Sequence, residues 1–274
     1  MNLPSKSLLL VLGPLLFSST SLGAEKAKLV TFAQTHDGYH YDATAATPAA
    51  ERATFIIAEG KFNVGGPSDA TLDAVPFETL SRKLAIALSR RGYAMARNPD
   101  QADLLILVHR GRTNPRGVTE HSGSPLDTAT AGSSISRGGG LVTAPGNQPM
   151  VGFSSGGGEV VSTDGNLKTI AAGLGWLPQL EKVEYELGNV ATDGRYERLV
   201  EELSQERYYI VLEAFDFAAW RKTNAFTRQW ETRLSFLAER QSFAERYAAM
   251  IKAGTEHFAR DTPAALDRRF VTID

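Results

Sequence analysis

The chain contains no cysteine. This absence excludes disulfide bonds, and it also excludes the lipid-modified cysteine that tethers bacterial lipoproteins to a membrane. No stretch approaches the ~20 consecutive apolar residues that a membrane-spanning helix requires. We therefore expect stability to come from packing alone, and 42% hydrophobic residues are enough to build a core.

Net charge is also nearly absent, with a formal value of -2 at pH 7. General nucleic-acid binding depends on a basic surface, so this balance argues against that class of protein. A length of 274 residues fits one large domain or two small ones.

The first 24 residues have the pattern of a secretory signal peptide. Lys6 supplies the positive charge, and Ser7–Phe17 forms an apolar stretch that is too short for a membrane anchor. Small residues favour cleavage after Gly23, with Ala24 as the alternative. We expect export, and a cysteine-free exported chain of this size fits the bacterial periplasm.

The stretch from Phe77 to Gly111 predicts the centre of the fold. Its first part predicts a helix with Gly92 as the left-handed C-cap, because apolar residues recur at three- and four-residue steps: Phe77, Leu80, Leu84, Ala87 and Leu88. After a turn at Asn98, the apolar run Leu104–Val108 predicts a strand that is buried on both faces. Packing the helix on one side of a sheet is the economical way to bury these surfaces.

The rest of the chain alternates between predicted strands and predicted helices. Period-two patterns and β-branched runs predict strands at Leu29–Phe32, Thr54–Glu59, Tyr208–Phe217, Ala225–Leu237 and Phe270–Ile273. Helical spacing predicts Lys168–Tyr185 with a break at Pro178, Asp193–Gln205 capped by Asp193, and Ser242–Phe258 with a Ser242–Glu245 capping box.

One predicted strand, Ala225–Leu237, separates apolar from charged side chains. Trp230 and Leu234 share one face, whereas Glu231 and Arg233 occupy the other. Together with the apolar strand before it, this pattern predicts an antiparallel pair.

Residues Gly111–Gly165 form a low-complexity segment that holds 13 of the 25 glycines. Such a composition buries too little apolar surface to offset its backbone entropy, so we expect a flexible insertion. Two interpretations stay open, a mobile connection between two sheet strands and a segment that orders on a partner. If the segment does order, Met150–Phe153 and Glu159–Ser162 are the candidate strands of a hairpin.

Strands are predicted on both sides of this insertion, which favours one domain over two domains joined by a linker. We therefore expect residues 25–274 to form a single periplasmic α/β domain. Its predicted fold class is α/β (α+β), with a single mixed β-sheet, helices packed on it and a long Gly/Ser-rich insertion.

The run Gly92–Arg112 (GYAMARNPDQADLLILVHRGR) resembles exported bacterial α/β domains of unknown function, many of them lipoproteins, in which Gly-Tyr and Asp-Ala-Asp precede an apolar strand. Tyr208–Phe217 (YYIVLEAFDF) and Gln229–Phe236 (QWETRLSF) resemble their second half. The chain departs from that pattern at Gln101, which stands where a second acidic residue is common, and in lacking the lipobox cysteine.

The element order is also similar to the small domains of envelope-assembly proteins, such as the curli secretion lipoprotein and the Tol-system translocation protein. This resemblance implies a role in binding other envelope components. It implies no catalytic residue.

The sequence around Ser154 (Gly152–Gly156, GFSSG) matches the nucleophile elbow G-x-S-x-G. That site needs a tight turn from a strand into a helix, and the glycines that follow here do not form one. The Gly triplets also lack the Gly-Lys-Ser/Thr of a phosphate loop. We therefore interpret both patterns as products of the Gly/Ser-rich composition.

Histidines and carboxylates give no complete site either. His36 and His40 have the i, i+4 spacing that binds metals on a helix, with Asp37 and Asp42 nearby, but Gly38 indicates a loop. His109, His121 and His257 are isolated in sequence, and a capping or surface role suits His257 near a helix end. Glu213 and Asp216 point to opposite sides of a strand, and Trp220 and Trp230 fit packing roles.

The sequence thus predicts no catalytic, cofactor-binding or metal-binding residue. We expect a non-catalytic protein that binds another component of the cell envelope, either protein or glycan. The alternative is a secreted hydrolase whose catalytic residues are spread through the chain. A third interpretation is a metal-binding envelope protein, which would require His36 and His40 to converge.

Overall fold

The computed structural model describes residues 26–44, 46–60, 69–115, 142–144, 148–150, 163–187, 194–239, 242–263 and 266–272. The expected signal peptide lies outside these ranges, and so do His121, Ser154, Asp193 and most of the Gly-rich segment. In the described part of the chain, none of the helices has the length and apolar character needed to cross a bilayer.

The described ranges contain nine strands and seven α-helices. The strands are β1 (Lys26–Thr35), β2 (Thr54–Glu59), β3 (Ala94–Met95), β4 (Leu104–Arg112), β5 (Val142–Ala144), β6 (Gln148–Met150), β7 (Arg207–Asp216), β8 (Arg228–Leu237) and β9 (Asp267–Thr272). The helices are α1 (Ala70–Asp73), α2 (Phe77–Arg90), α3 (Thr163–Leu174), α4 (Leu177–Leu187), α5 (Arg195–Leu203), α6 (Phe217–Thr223) and α7 (Phe243–Gly254).

Seven of the strands form one sheet in the order β3-β2-β4-β7-β8-β1-β9. β2 pairs in parallel with β3 and with β4, whereas the β4–β7, β7–β8, β8–β1 and β1–β9 pairs are antiparallel. β5 and β6 form a separate two-stranded hairpin. The predicted single mixed sheet and the α+β class are therefore confirmed.

The first face of the sheet carries the larger apolar core, because α2 and α7 both pack on it. The helical stripe that the sequence predicted for α2 is buried there, with Leu80, Leu84 and Leu88 each fully enclosed. α7 contributes Phe243, Met250 and Ile251, and the strands contribute alternate residues such as Phe55, Ile106, Ile210 and Leu234.

The second face is covered in two separate places. α3, α4 and α5 bury a cluster against β1 and β7, which includes Ile170, Leu174, Trp176, Leu180, Leu199, Leu203, Val30 and Val211. A smaller apolar cluster lies over β2 and β4, where Ile56, Ala58 and Leu105 are buried beside Phe217 and Phe226. The sheet surface between these two clusters is charged, and it is the candidate functional site.

The local signals of α2 and α7 are present as predicted. The chain leaves α2 through Gly92, whose φ of 90° is left-handed and whose position against the Ala43 carbonyl leaves no room for a Cβ. At the start of α7 the Glu245 carboxylate accepts from the Ser242 backbone N–H at 2.7 Å, as the capping box requires.

Three predicted element boundaries need correction. The break in Lys168–Tyr185 falls at Gly175, which has a φ of 78° and lies against Phe32, while Pro178 sits in the first turn of α4. α5 begins after Gly194, so Asp193 is not its N-cap. Phe217 starts α6 and does not belong to β7, because Asp216 caps that helix.

The predicted insertion has different ends, and it contains a hairpin that the sequence did not predict. Gly111 still belongs to β4, where its missing side chain makes room for the Tyr209 ring, and α3 has already begun at Thr163. The segment therefore connects a strand to a helix, and not two strands. The described part of the segment contains the β5–β6 hairpin. The predicted strands Met150–Phe153 and Glu159–Ser162 lie outside the described residues apart from Met150, so their pairing stays a prediction.

Replacing Leu84 with alanine should lower the free energy of unfolding by about 3 kcal/mol, because it leaves a cavity under α2. Leu84 is 0% exposed, whereas Ile86 on the same helix is 52% exposed. Ile86→Ala is therefore the matched control, with an expected change within about 0.5 kcal/mol. Equal losses for the two variants in chemical denaturation would contradict the assignment of the buried face of α2.

Candidate functional site

Two glutamates lie directly opposite each other on the second face of the sheet. Glu213 of β7 pairs with Glu231 of β8 in the antiparallel register. Like charges at directly opposite positions of neighbouring strands repel each other, so this arrangement is unstable without added positive charge.

Two arginines supply that charge. Arg228 Nη1 donates to Glu213 Oε1 at 2.7 Å and lies 3.3 Å from Glu231 Oε2. Arg233 binds Glu231 Oε2 through Nε at 2.8 Å and through Nη2 at 2.5 Å. The four side chains, Glu213, Arg228, Glu231 and Arg233, are called the charged network below.

Each of the two glutamates also contacts one histidine. His109 of β4 places Nε2 3.2 Å from Glu213 Oε2, and His36, which follows β1, places Nε2 3.4 Å from Glu231 Oε1. The His109 ring fits because residue 60 is glycine, where an added Cβ would lie 2.2 Å from the ring. The network and its two histidines therefore span β4, β7, β8 and the end of β1.

Arg233 also connects the sheet to the helical layer. Its Nη1 donates to the carbonyl oxygens of Ala172 and Gly173 at 3.0 and 2.8 Å, at the C-terminal end of α3. Helix C-termini leave carbonyl groups without helical partners and carry partial negative charge, so a guanidinium is favoured there. One arginine thus joins a carboxylate of the sheet to the end of a helix.

Burial and ion pairing act in opposite directions on these carboxyl groups. Burial raises the pKa of Glu213, but the hydrogen bond and charge of His109, with the charges of Arg233 and Arg228, outweigh burial and hold the pKa below its usual range. Burial likewise raises the pKa of Glu231, and Arg233 chiefly outweighs it, so that this pKa is lowered too. Both carboxyl groups are therefore ionised at neutral pH.

This electrostatic state favours a positioning role over acid catalysis. A carboxylic acid that donates a proton near neutral pH needs a raised pKa, and paired-carboxylate hydrolysis needs one such group. Both carboxyl pKa values of the charged network are shifted in the other direction. What the geometry can do is fix the register of β7 against β8 and hold α3 in place.

The sequence-predicted candidates do not converge on this network as a set. His40 pairs with Asp42 at 2.8 Å on the surface, where both side chains are at least 80% exposed, while His36 contacts Glu231. The two histidines that the metal interpretation required therefore have different partners. Asp216 caps α6 by accepting from the Ala219 N–H at 2.7 Å.

The remaining candidates are histidine and tryptophan side chains outside the network. His257 was predicted to have a capping or surface role; it is only 6% exposed, so the surface alternative is wrong. Trp230 is fully buried in the first-face core, and Trp220 stacks on Phe217 at 5.2 Å between ring centroids. Ser154 lies outside the described residues.

Sequence reasoning missed the network although part of its signal was visible. The alternation in β8 placed Glu231 and Arg233 on one face, and the expectation for such a face is exposure to solvent. The structure buries both side chains, at 4% and 7% exposure. The strand register that sets Glu231 opposite Glu213, and the helix that covers Arg233, are long-range features that no local pattern contains.

Comparison with known proteins adds little to this picture. No protein-family model matches the chain, and no curated protein matches it. Among solved structures, the chain is similar to a PDZ domain protein from Parabacteroides distasonis ATCC 8503, with 8% sequence identity and a TM-score of 0.37. That match covers 91% of this chain but only 40% of the other chain.

Replacing Glu213 with glutamine should lower the free energy of unfolding by about 3 kcal/mol at pH 7, because the half-buried Arg228 and the buried Arg233 lose one of their two carboxylates. Glu78→Gln is the matched control. Glu78 forms a 3.2 Å ion pair with Arg82 on the exposed side of α2, and its loss should cost about 0.5 kcal/mol or less. Equal losses for the two variants would contradict the buried-network interpretation.

Glu213→Gln should also make the free energy of unfolding depend less on pH in the acid range. A carboxyl group whose pKa is lowered on folding adds stability above its ordinary value of 4.5, and this contribution is lost as the pH falls towards the folded pKa. Denaturation between pH 3 and 7, roughly the upper part of the range over which this contribution is lost, should thus show a steeper loss for the unmodified chain than for Glu213→Gln. Parallel curves would show that Glu213 has an unshifted pKa.

Proposed function

We propose that this chain is an exported, non-catalytic protein of the bacterial periplasm that binds an extended segment of another envelope protein along the open edge of β9. Export is supported by the signal-peptide pattern of residues 1–24. The non-catalytic role is supported by a charged network whose carboxyl groups carry lowered pKa values.

The observation that carries the proposal is an accessible edge strand with an aromatic side chain on it. β9 is the last strand of the sheet, and within the described ranges it pairs with β1 alone. Phe270, in the middle of β9, is 72% exposed. An edge strand presents backbone N–H and C=O groups without ladder partners, which is the surface that strand addition uses.

The charges on β9 do little to block such pairing. Lysine and arginine on an edge commonly keep other strands away. Here Arg268 Nη2 donates to Glu202 at 3.1 Å, and Arg269 pairs with Glu256 and Asp267. Both guanidinium groups are therefore directed towards acidic partners of the same chain, while Phe270 faces solvent.

The two edges of the sheet differ in a way that singles out β9. The opposite edge strand, β3, has only two residues, whereas β9 has six. A longer edge offers more backbone hydrogen bonds, and those bonds recognise an extended peptide and not a sugar ring. We therefore favour a protein segment over a glycan as the occupant.

Placing a photo-crosslinking amino acid at Thr272, an exposed position of β9, should capture a specific envelope protein in intact cells. Phe270→Ser should lower that capture about tenfold, because an anchoring aromatic contact is lost. Tyr185→Ser is the matched control, since Tyr185 is 78% exposed on α4, and it should leave capture unchanged.

Three results would contradict the proposal. The first is capture that Phe270→Ser does not reduce, and the second is a crosslinked product that contains glycan and no peptide. The third is turnover of a hydrolase substrate that depends on Glu213 or Glu231, which would restore the enzymatic alternative.

A further inference from the structure

A separate cluster of ligand-type side chains forms where the chain enters β9. A 3-10 turn, Thr255–His257, follows α7 directly and carries Glu256 and His257, and β9 begins at Asp267. His257 Nε2 lies 3.0 Å from Asp267 Oδ2 and 3.6 Å from Glu256 Oε1. In the described part of the chain, this is the one group of three such residues whose ligand atoms all lie within 4.8 Å of one another.

These separations match the edges of a metal coordination shell. Nitrogen and oxygen ligands bind Zn²⁺ at about 2.0–2.2 Å, and neighbouring ligands in tetrahedral to octahedral arrangements then lie about 3.0–3.6 Å apart. Both measured distances from His257 Nε2 fall in that interval. The third pair, Glu256 and Asp267, lies within 4.8 Å, so rotamer changes can bring all three side chains around a single ion.

The imidazole supplies an independent indication. His257 is 94% buried, since its exposure is 6%, and its Nε2 makes no hydrogen bond of normal geometry although it faces two carboxylates. The turn is held from the other side by Thr232 Oγ1, which donates to the His257 carbonyl at 3.2 Å. A buried polar atom without a hydrogen bond is costly, and a cation between the nitrogen and the carboxylates would satisfy it.

Arg269 is the group that an ion would have to displace. It contacts both Glu256 and Asp267, and its side chain is 38% exposed. An arginine this close to solvent can rotate away from the carboxylates without becoming buried elsewhere. A divalent ion would replace its single positive charge with two.

We propose that Glu256, His257 and Asp267 form a binding site for a divalent transition-metal ion, with Zn²⁺ best suited to one imidazole and two carboxylates. The bound ion joins the turn after α7 to the first residue of β9, with water in its remaining coordination positions. It acts as a clamp on the edge strand. The site does not involve Phe270 and does not depend on the proposed function; the two share only Arg269, which the ion releases from its acidic partners.

Titration of the mature chain with ZnCl₂ in a calorimeter should show one ion per chain, and the melting temperature should rise with zinc concentration. Glu256→Gln and Asp267→Asn should each weaken binding at least about tenfold, since each removes one charged ligand. Glu256 is 54% exposed, so its replacement does not threaten the fold.

Two further variants separate this site from adventitious binding. Arg269→Ala should strengthen zinc binding, because it removes the competing cation. A loss of structure would not increase the affinity for zinc, so an increase cannot come from misfolding. His40→Ala should leave binding unchanged, although His40 and Asp42 form an exposed pair of the same kind at 2.8 Å. Absence of one-to-one binding, or binding that depends on His40 and not on Glu256 and Asp267, would overturn the proposal.

Discussion

The compensation of two opposed glutamates by two arginines is the constraint on which the second face of the sheet depends. Glu213 and Glu231 can lie side by side because the guanidinium groups of Arg228 and Arg233 pair with their carboxylates. Without those cations the central β7–β8 pair would carry two negative charges at directly opposite positions, one of them buried and the other largely buried. The network therefore stabilises this strand register and limits the chemistry that is possible on this surface.

The same network explains how one sheet supports two separate clusters on its second face. Arg233 donates to the last carbonyls of α3, so the helical layer over β1 and β7 ends where the charged surface begins. The smaller apolar cluster over β2 and β4 lies on the other side, beyond His109. A continuous apolar face would have needed a continuous helical layer, which the described chain does not have.

The sequence predicted elements well where local physics decides them. Periodicity and turn chemistry are enough to predict the apolar stripe of α2, the Gly92 cap, the strand Thr54–Glu59 and the β7–β8 pair. The side-chain partners across the sheet could not be predicted, because they depend on the strand register and on which helix covers each face of the sheet. The same limit applies to His257, which meets Asp267 only after β9 has paired with β1.

The central claim is that the charged network holds the sheet together with both carboxylates ionised. A pH titration of the side-chain carboxyl carbons of Glu213 and Glu231 by NMR tests this claim most directly. The account predicts that both pKa values lie below the ordinary glutamate value of 4.5. A pKa above that value for either residue would contradict the account and would make that residue a candidate general acid.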